Sequence, residues 1–166
     1  MRYLGKLGEG PLPLDRRHQF KVYGNYTFNF GLNTALGLQM SSGKPLTPLA
    51  ANPNINYQNG GEIPECARGC GFETVDGFKD RTPFLTDISA HVDYAFRFTG
   101  TKRIVLLADV FNLFDTQTVL DYDNFTESTF GALNPNFGQP TTSVLGGNPP
   151  QIQTPRQIRV GARFEF

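Results

Sequence analysis

The last ten residues, Gln157–Phe166, constrain the fold most, because apolar and polar side chains alternate through them without a break. The apolar positions are Ile158, Val160, Ala162, Phe164 and Phe166. A period of two is that of a β-strand with one apolar and one polar face. Chain termini usually fray, so a chain that finishes on an aromatic ring is expected to keep its last strand paired, as in a sheet closed into a barrel.

Four earlier segments have the same period, at 19–28, 32–41, 84–98 and 103–110. Their even-numbered residues are the more apolar ones. Nine charged residues of the five segments all fall on the odd register: Lys21, Asp87, Asp93, Arg97, Arg103, Asp109, Arg159, Arg163 and Glu165. The sequence therefore predicts an all-β fold, an antiparallel meander of about five strands with its charges on one face.

Composition excludes some classes of function. Fifteen basic and fifteen acidic residues cancel, so nothing indicates a nucleic-acid partner. The longest clean apolar run, 104–108, is far too short for a transmembrane helix. A membrane β-strand, however, needs only about 9–11 residues, half of them apolar. Residues 1–16 do not have the pattern of a signal peptide, so an exported role is expected to need a signal from elsewhere.

The connections between the predicted strands are of two kinds. Short turns are expected at 29–31 and 99–102, and long polar stretches at 42–82 and 115–154. Tight turns at one edge and long loops at the other are typical of outer-membrane barrels. Eight aromatic residues fall at the tight-turn edge, as in an interfacial girdle: Tyr26, Phe28, Phe30, Tyr94, Phe96, Phe98, Phe164 and Phe166. A secreted, soluble β-sandwich explains the alternation equally well, but it explains neither the girdle nor the loop lengths.

Three motifs resemble those of TonB-dependent outer-membrane receptors, in particular the Oar-like, carboxypeptidase-regulatory-domain type. They are Arg16-Arg17-His18-Gln19-Phe20, Asp109-Val110-Phe111-Asn112-Leu113-Phe114-Asp115, and the terminal run from Pro155 to Phe166. The resemblance covers residues 15–166. It implies a barrel of about 22 strands with an N-terminal plug domain, of which five strands and no plug are expected here. The chain is thus expected to be a fragment or a truncated product, with 1–16 as a loop remnant and 17–166 as C-terminal barrel strands.

The same resemblance implies a location and partners. The parent protein would take up a ligand across the outer membrane of a Gram-negative cell, driven by the TonB complex through the plug. The even-numbered apolar residues would lie on the convex, lipid-facing side, the loops 42–82 and 115–154 outside the cell, and the short turns in the periplasm. The outer-membrane assembly machinery would recognise the terminal apolar residues: Ile158, Val160, Ala162, Phe164 and Phe166. The ligand is not identifiable from this sequence.

Candidate chemistry is sparse. Cys66 and Cys70, in the first long loop, are interpreted as a local disulfide, because two further zinc ligands are not near them in sequence. Asp115, Asp121, Asp123 and Glu127 are interpreted as a solvated acidic loop in preference to a calcium site, since the Gly and terminal Glu of a calcium loop are missing.

The remaining polar residues are expected to face the barrel lumen and form ion pairs: Asp87, His91, Asp93, Arg97, Arg159 and Arg163. No nucleophile or second acid–base group accompanies His91, so neither an enzyme nor a cofactor is predicted. The sequence therefore favours a C-terminal barrel segment of a TonB-dependent transporter. The alternative is a secreted β-sandwich binding module of lectin or adhesin type.

Overall fold

The structure, a computed structural model, describes residues 5–53, 62–98, 102–140 and 151–166. A short 3-10 helix, Gly5–Gly8, precedes an all-β arrangement. The strands of the described residues are β1 (Gln19–Thr27), β2 (Leu32–Ser41), β3 (Leu49–Ala50), β4 (Ile63–Pro64), β5 (Phe72–Thr74), β6 (Gly77–Lys79), β7 (Leu85–Arg97), β8 (Arg103–Phe111), β9 (Glu127–Thr129), β10 (Ala132–Leu133) and β11 (Gln157–Glu165). Within these described ranges, no helix is long and apolar enough to cross a membrane.

The five long strands form one antiparallel sheet in the order β1-β2-β7-β8-β11. Its register is free of shifts, and even-numbered residues always pair with even-numbered ones, as in Met40 with Thr86 and Val110 with Ile158. Because paired residues share a face, all even-numbered side chains of the sheet lie on one side. The predicted all-β fold and antiparallel pairing are confirmed, and the charged positions share the opposite side.

The tight turn between β1 and β2 is present at the predicted place. The Phe28 N–H donates to the Leu32 carbonyl at 2.8 Å, and the Gly31 N–H to the Phe28 carbonyl at 3.0 Å. Gly31 has a φ of 96°, which a residue without a Cβ adopts readily. Most of the second predicted turn, residues 99–101, lies outside the described residues.

The chain divides into two compact units. The first, called here the sheet unit, comprises Gln19–Ser41, Leu85–Gln117 and Thr154–Phe166 and contains the five-stranded sheet. The second, called the loop unit, comprises the described parts of Met1–His18, Ser42–Phe84 and Thr118–Gln153. The two long connections therefore contribute most of the loop unit.

The loop unit has a hydrophobic core of its own. Leu46, Phe72 and Tyr122 are buried, and Val119 and Phe137 pack against them. The rings of Phe72 and Phe137 lie 4.9 Å apart. Three short antiparallel pairs, β3 with β4, β5 with β6 and β9 with β10, give the unit its local order.

One sequence-based interpretation of this unit is wrong. Asp123 belongs to the acidic stretch that the sequence suggested was solvated, but its side chain is 0% exposed. Its backbone N–H donates to Gln139 and its carbonyl accepts from Gly138, so the main chain holds it inside the unit. One carboxylate oxygen accepts from the Phe125 N–H at 3.0 Å. Asp121 is also engaged, in an ion pair with Lys44.

Candidate functional site

The even-numbered face of the sheet is apolar and exposed. Val160 is 76% exposed and Ile158 68% exposed, although both lie in a regular, paired strand. Large apolar side chains on this face that are exposed in the same way are Phe20, Val22, Tyr26, Leu36, Val92, Phe96, Leu106 and Phe164. Monomeric soluble proteins rarely leave so continuous an apolar surface open, so this face has the character of an interaction surface.

Aromatic rings cluster at one end of that face. Tyr26 and Phe28 have ring centroids 4.7 Å apart, and the contacts continue from Phe28 to Phe30 at 5.2 Å. Phe30 lies 6.5 Å from Tyr94, whose ring is 4.6 Å from that of Phe96. Phe164 and Phe166 stack at 6.0 Å. Most of the aromatic residues that the sequence assigned to one edge of the sheet are therefore in ring contact with another of them, in one group of five and one separate pair.

A hydrogen-bonded network occupies the opposite face and centres on His91. Its Nδ1 lies 2.6 Å from Asp109 Oδ1, and its Nε2 lies 3.0 Å from Asp93 Oδ2. Asp93 also accepts from the Asn33 amide at 2.8 Å, and Asp109 accepts from Arg159 Nε at 2.8 Å. These residues come from four adjacent strands, so the network ties β2, β7, β8 and β11 together across the sheet.

The other predicted polar residues lie on the same face but apart from His91. Asp87 accepts from Ser89 Oγ at 3.0 Å. Arg163 forms an ion pair with Glu165 at 2.8 Å, and Arg103 binds the same carboxylate. Arg97 pairs in register with Arg103. The network contains charges and acid–base groups, but among the described residues no His, Cys, Asp and Glu side chains form a group of three suited to a metal ion.

Among the described strands, β11 is an edge strand that is hydrogen-bonded to β8 alone. Its residues are exposed from Gln157 to Phe164, and Phe166 beyond it is 90% exposed. The backbone groups of such an edge are available to a further strand. The terminal apolar residues named in the sequence therefore share one exposed edge and one face.

The turn that follows β8 contains a residue whose role the sequence did not reveal. Asn112 is 3% exposed and has a φ of 49°, in the left-handed region that Asn tolerates better than most residues. Its amide donates to the carbonyls of Thr116 and Thr154, both at 2.8 Å, and its Oδ1 accepts from the Thr116 N–H and hydroxyl, both at 3.0 Å. Asn112 thus fixes the turn to the segment that leads into β11.

Asp115 lies in the same turn and also has a positive φ, of 54°. Its carboxylate accepts from the Arg156 N–H at 2.8 Å. The Leu113 N–H donates to the Ile88 carbonyl of β7 at 2.7 Å. The motif Asn112 to Asp115 therefore joins the end of β8 to β7 and to the segment that leads into β11.

In the loop unit, Cys66 and Cys70 lie side by side with their Cα atoms 6.3 Å apart, within the range of disulfides. The segment between them is held by the Arg68 N–H, which donates to the Glu9 carbonyl at 2.9 Å, and by the Gly69 N–H, which donates to Thr47 Oγ1 at 2.8 Å. The disulfide itself stays a prediction.

Comparison with known proteins gives a partial similarity. No protein-family model matches the chain, and no solved structure matches it. The chain resembles a region of a TonB-dependent receptor: it is 28% identical over 189 aligned residues, or 95% of its length, to the TonB-dependent transporter Oar of Myxococcus xanthus. The match covers 17% of that transporter, so the chain spans about a sixth of its relative's length.

Proposed function

We propose that this chain is the C-terminal barrel segment of a TonB-dependent transporter of the outer membrane of a Gram-negative cell. The observation that carries the proposal is the exposed apolar face of a regular antiparallel sheet, with aromatic rings gathered at one end. In water such a face is costly, because burying apolar surface contributes about 25 cal/mol per Å². Against lipid the same face is favourable, and aromatic rings are preferred at the membrane interface.

In this proposal the five long strands are part of the wall of a barrel of about 22 strands. The even-numbered side chains contact lipid, and Asp87, His91, Asp93, Arg97, Arg159 and Arg163 face the lumen. The ion pairs on the odd-numbered face support this assignment, because charges in the lipid are expensive and charges in a polar lumen are not. Residues 1–16 are a remnant of a preceding loop, and 17–166 supply strands and connections.

The connections 42–82 and 115–154 are proposed to lie outside the cell, where they meet the transported ligand. The compact core around Leu46, Phe72 and Tyr122 supports a folded ligand-facing unit in place of two independent flexible loops. The turns at 29–31 and 99–102 then lie in the periplasm. Antibodies against epitopes in each long connection, added to intact cells that express the parent protein, should bind both. Labelling of the short turns alone would reverse the orientation.

The proposed partners follow from the transporter class. The TonB complex acts through a plug domain that is not part of these 166 residues, and the assembly machinery binds the β11 edge with its apolar side chains at 158, 160, 162, 164 and 166. The similarity to a transporter supports this class of function.

Extraction from membranes tests the proposal against the β-sandwich alternative. The chain, exported with a signal sequence, should stay in the membrane pellet through washes with alkaline carbonate and leave it in detergent. A matched variant with Val160→Lys and Ile158→Lys should pellet less, whereas Arg159→Lys should behave as the wild type. A chain that is released by carbonate and is monomeric without detergent would support the secreted binding module instead.

A further inference from the structure

The loop unit contains a small pocket beside the Cys66–Cys70 segment. Its volume is about 170 Å³, close to that of a cavity that holds a benzene-sized molecule. Two leucines, Leu46 and Leu49, and three prolines give it apolar walls. Arg68, Lys44 and Asp121 are the charged residues of its lining. The pocket thus combines an apolar body with a few charged groups, as small-molecule sites do.

The charges of the lining are not equivalent. Lys44 is neutralised by its ion pair with Asp121. Arg68 has no carboxylate within ion-pair distance among the described residues, although it is only partly exposed. The pocket therefore carries one net positive charge, on a guanidinium group whose planar fork suits a carboxylate. One net charge favours a monoanion over a multiply charged phosphate compound.

The backbone holds Arg68 in place for this role. Its own N–H and that of Gly69 are bonded to Glu9 and Thr47, and Gly69 has a φ of 77° that favours glycine. Thr47 Oγ1 accepts from Gly69 and keeps its own hydroxyl hydrogen as a donor toward the pocket it lines. The Thr47 hydroxyl and the backbone that carries Arg68 are thus fixed before a ligand arrives, which lowers the ordering cost of binding.

We infer that this pocket binds a small apolar monocarboxylate, about the size of benzoate, with the carboxylate on Arg68 and Thr47 and the apolar body against the leucine and proline walls. The inference rests on the proposed function in one respect. The proposed function makes the loop unit the part that meets the ligand, and the inference names the class of that ligand. The binding itself requires neither transport nor a particular orientation in the membrane.

The test is ¹⁹F NMR of 4-fluorobenzoate titrated with the full chain, in lipid nanodiscs if carbonate leaves the chain in the membrane and in buffer if carbonate releases it. A ligand of this size should bind with a Kd of about 1 mM, judged from the affinity that so few atoms provide. Arg68→Gln should weaken binding by about tenfold or more, because a hydrogen bond to a charged group is lost. Arg17→Gln is the matched control, since Arg17 is an exposed arginine of the same unit whose nearest carboxylate is Asp15.

Two further ligands make the test specific. The neutral isostere 4-fluorobenzamide should bind about tenfold more weakly than the carboxylate, and inorganic phosphate should displace 4-fluorobenzoate poorly. The inference is overturned if Arg68→Gln binds 4-fluorobenzoate as the wild type does, or if the amide binds equally well. Efficient displacement by phosphate would also overturn it. So would the absence of binding at 4-fluorobenzoate concentrations well above the expected Kd. Each of these results leaves the membrane-extraction experiment unaffected, so failure of this inference is distinguishable from failure of the proposed function.

Discussion

Replacing Asn112 by alanine tests how the sheet unit fixes its last strand. The side chain makes four hydrogen bonds, two donated to the carbonyls of Thr116 and Thr154 and two accepted from Thr116. Each such bond contributes about 0.5–1.5 kcal/mol net. The single hydroxyl hydrogen of Thr116 can go to the Thr86 carbonyl, 3.2 Å from Oγ1, once Asn112 Oδ1 is removed, which offsets part of the loss. The lost bonds therefore cost about 2–4 kcal/mol.

The backbone conformation at residue 112 makes a second contribution to the loss of stability. Asn112 has a φ of 49°, and alanine in the left-handed region costs about 1–2 kcal/mol. Asn112→Ala should therefore lower the free energy of unfolding by about 3–6 kcal/mol. Asn112→Gly loses the same hydrogen bonds but keeps the backbone conformation without that penalty, so it should be about 1 kcal/mol less destabilised than the alanine variant.

The assay is urea unfolding of the detergent-folded chain, followed by circular dichroism, with the midpoint and slope giving the free energy. Asn33→Ala is the matched control, because the Asn33 amide donates a hydrogen bond to Asp93 at 2.8 Å within a regular strand. The free energy of unfolding of that variant should be lower by about 1–2 kcal/mol. An Asn112→Ala variant no less stable than Asn33→Ala, or a glycine variant less stable than the alanine one, would refute the role assigned to this turn.

Three further outcomes are expected. Val160→Lys should reduce the amount of folded parent protein in the membrane, because a lysine at the lipid face costs about 2–4 kcal/mol near the midplane. Arg159→Lys, on the opposite face, should leave that amount unchanged. Equal loss from both variants would contradict the assignment of faces. Cys66 and Cys70 should resist alkylation in exported protein until a reductant is added, because the periplasm through which it passes is oxidising. Two freely alkylated thiols would exclude the disulfide. Deletion of Phe166 from the parent should lower its level in the outer membrane, whereas shortening the β9–β10 hairpin should not; normal accumulation without transport would argue against an assembly signal.

The sheet could be predicted from the sequence because the pattern that specifies each strand, the alternation of apolar and polar residues, lies within that strand. Alternation with a period of two located all five long strands to within one or two residues and assigned their faces. A regular register then placed every charged strand residue on one side. The specific partners of His91 could not be predicted, because they depend on which residue of β8 lies opposite it, and the register is set by the whole sheet.

The loop unit could not be predicted, because its contacts join residues far apart in sequence. Leu46, Phe72 and Tyr122 form one core although they come from two different connections and follow no period. The burial of Asp123 and the position of Arg68 in a pocket depend on that core. Asn112 was visible as part of a motif, but one of its four hydrogen bonds reaches forward to Thr154, which no local pattern indicates.

Spin-label accessibility along β11 tests the central claim most directly. Single cysteines at each position from 158 to 164, in a background with Cys66→Ser and Cys70→Ser, would carry nitroxide labels in the protein reconstituted in liposomes. The account predicts that labels at even-numbered positions collide mainly with lipid-soluble oxygen and labels at odd-numbered positions mainly with a water-soluble nickel complex, with a period of two. Equal accessibility to the nickel complex at both registers, or the opposite alternation, would contradict a lipid-facing apolar side of the sheet.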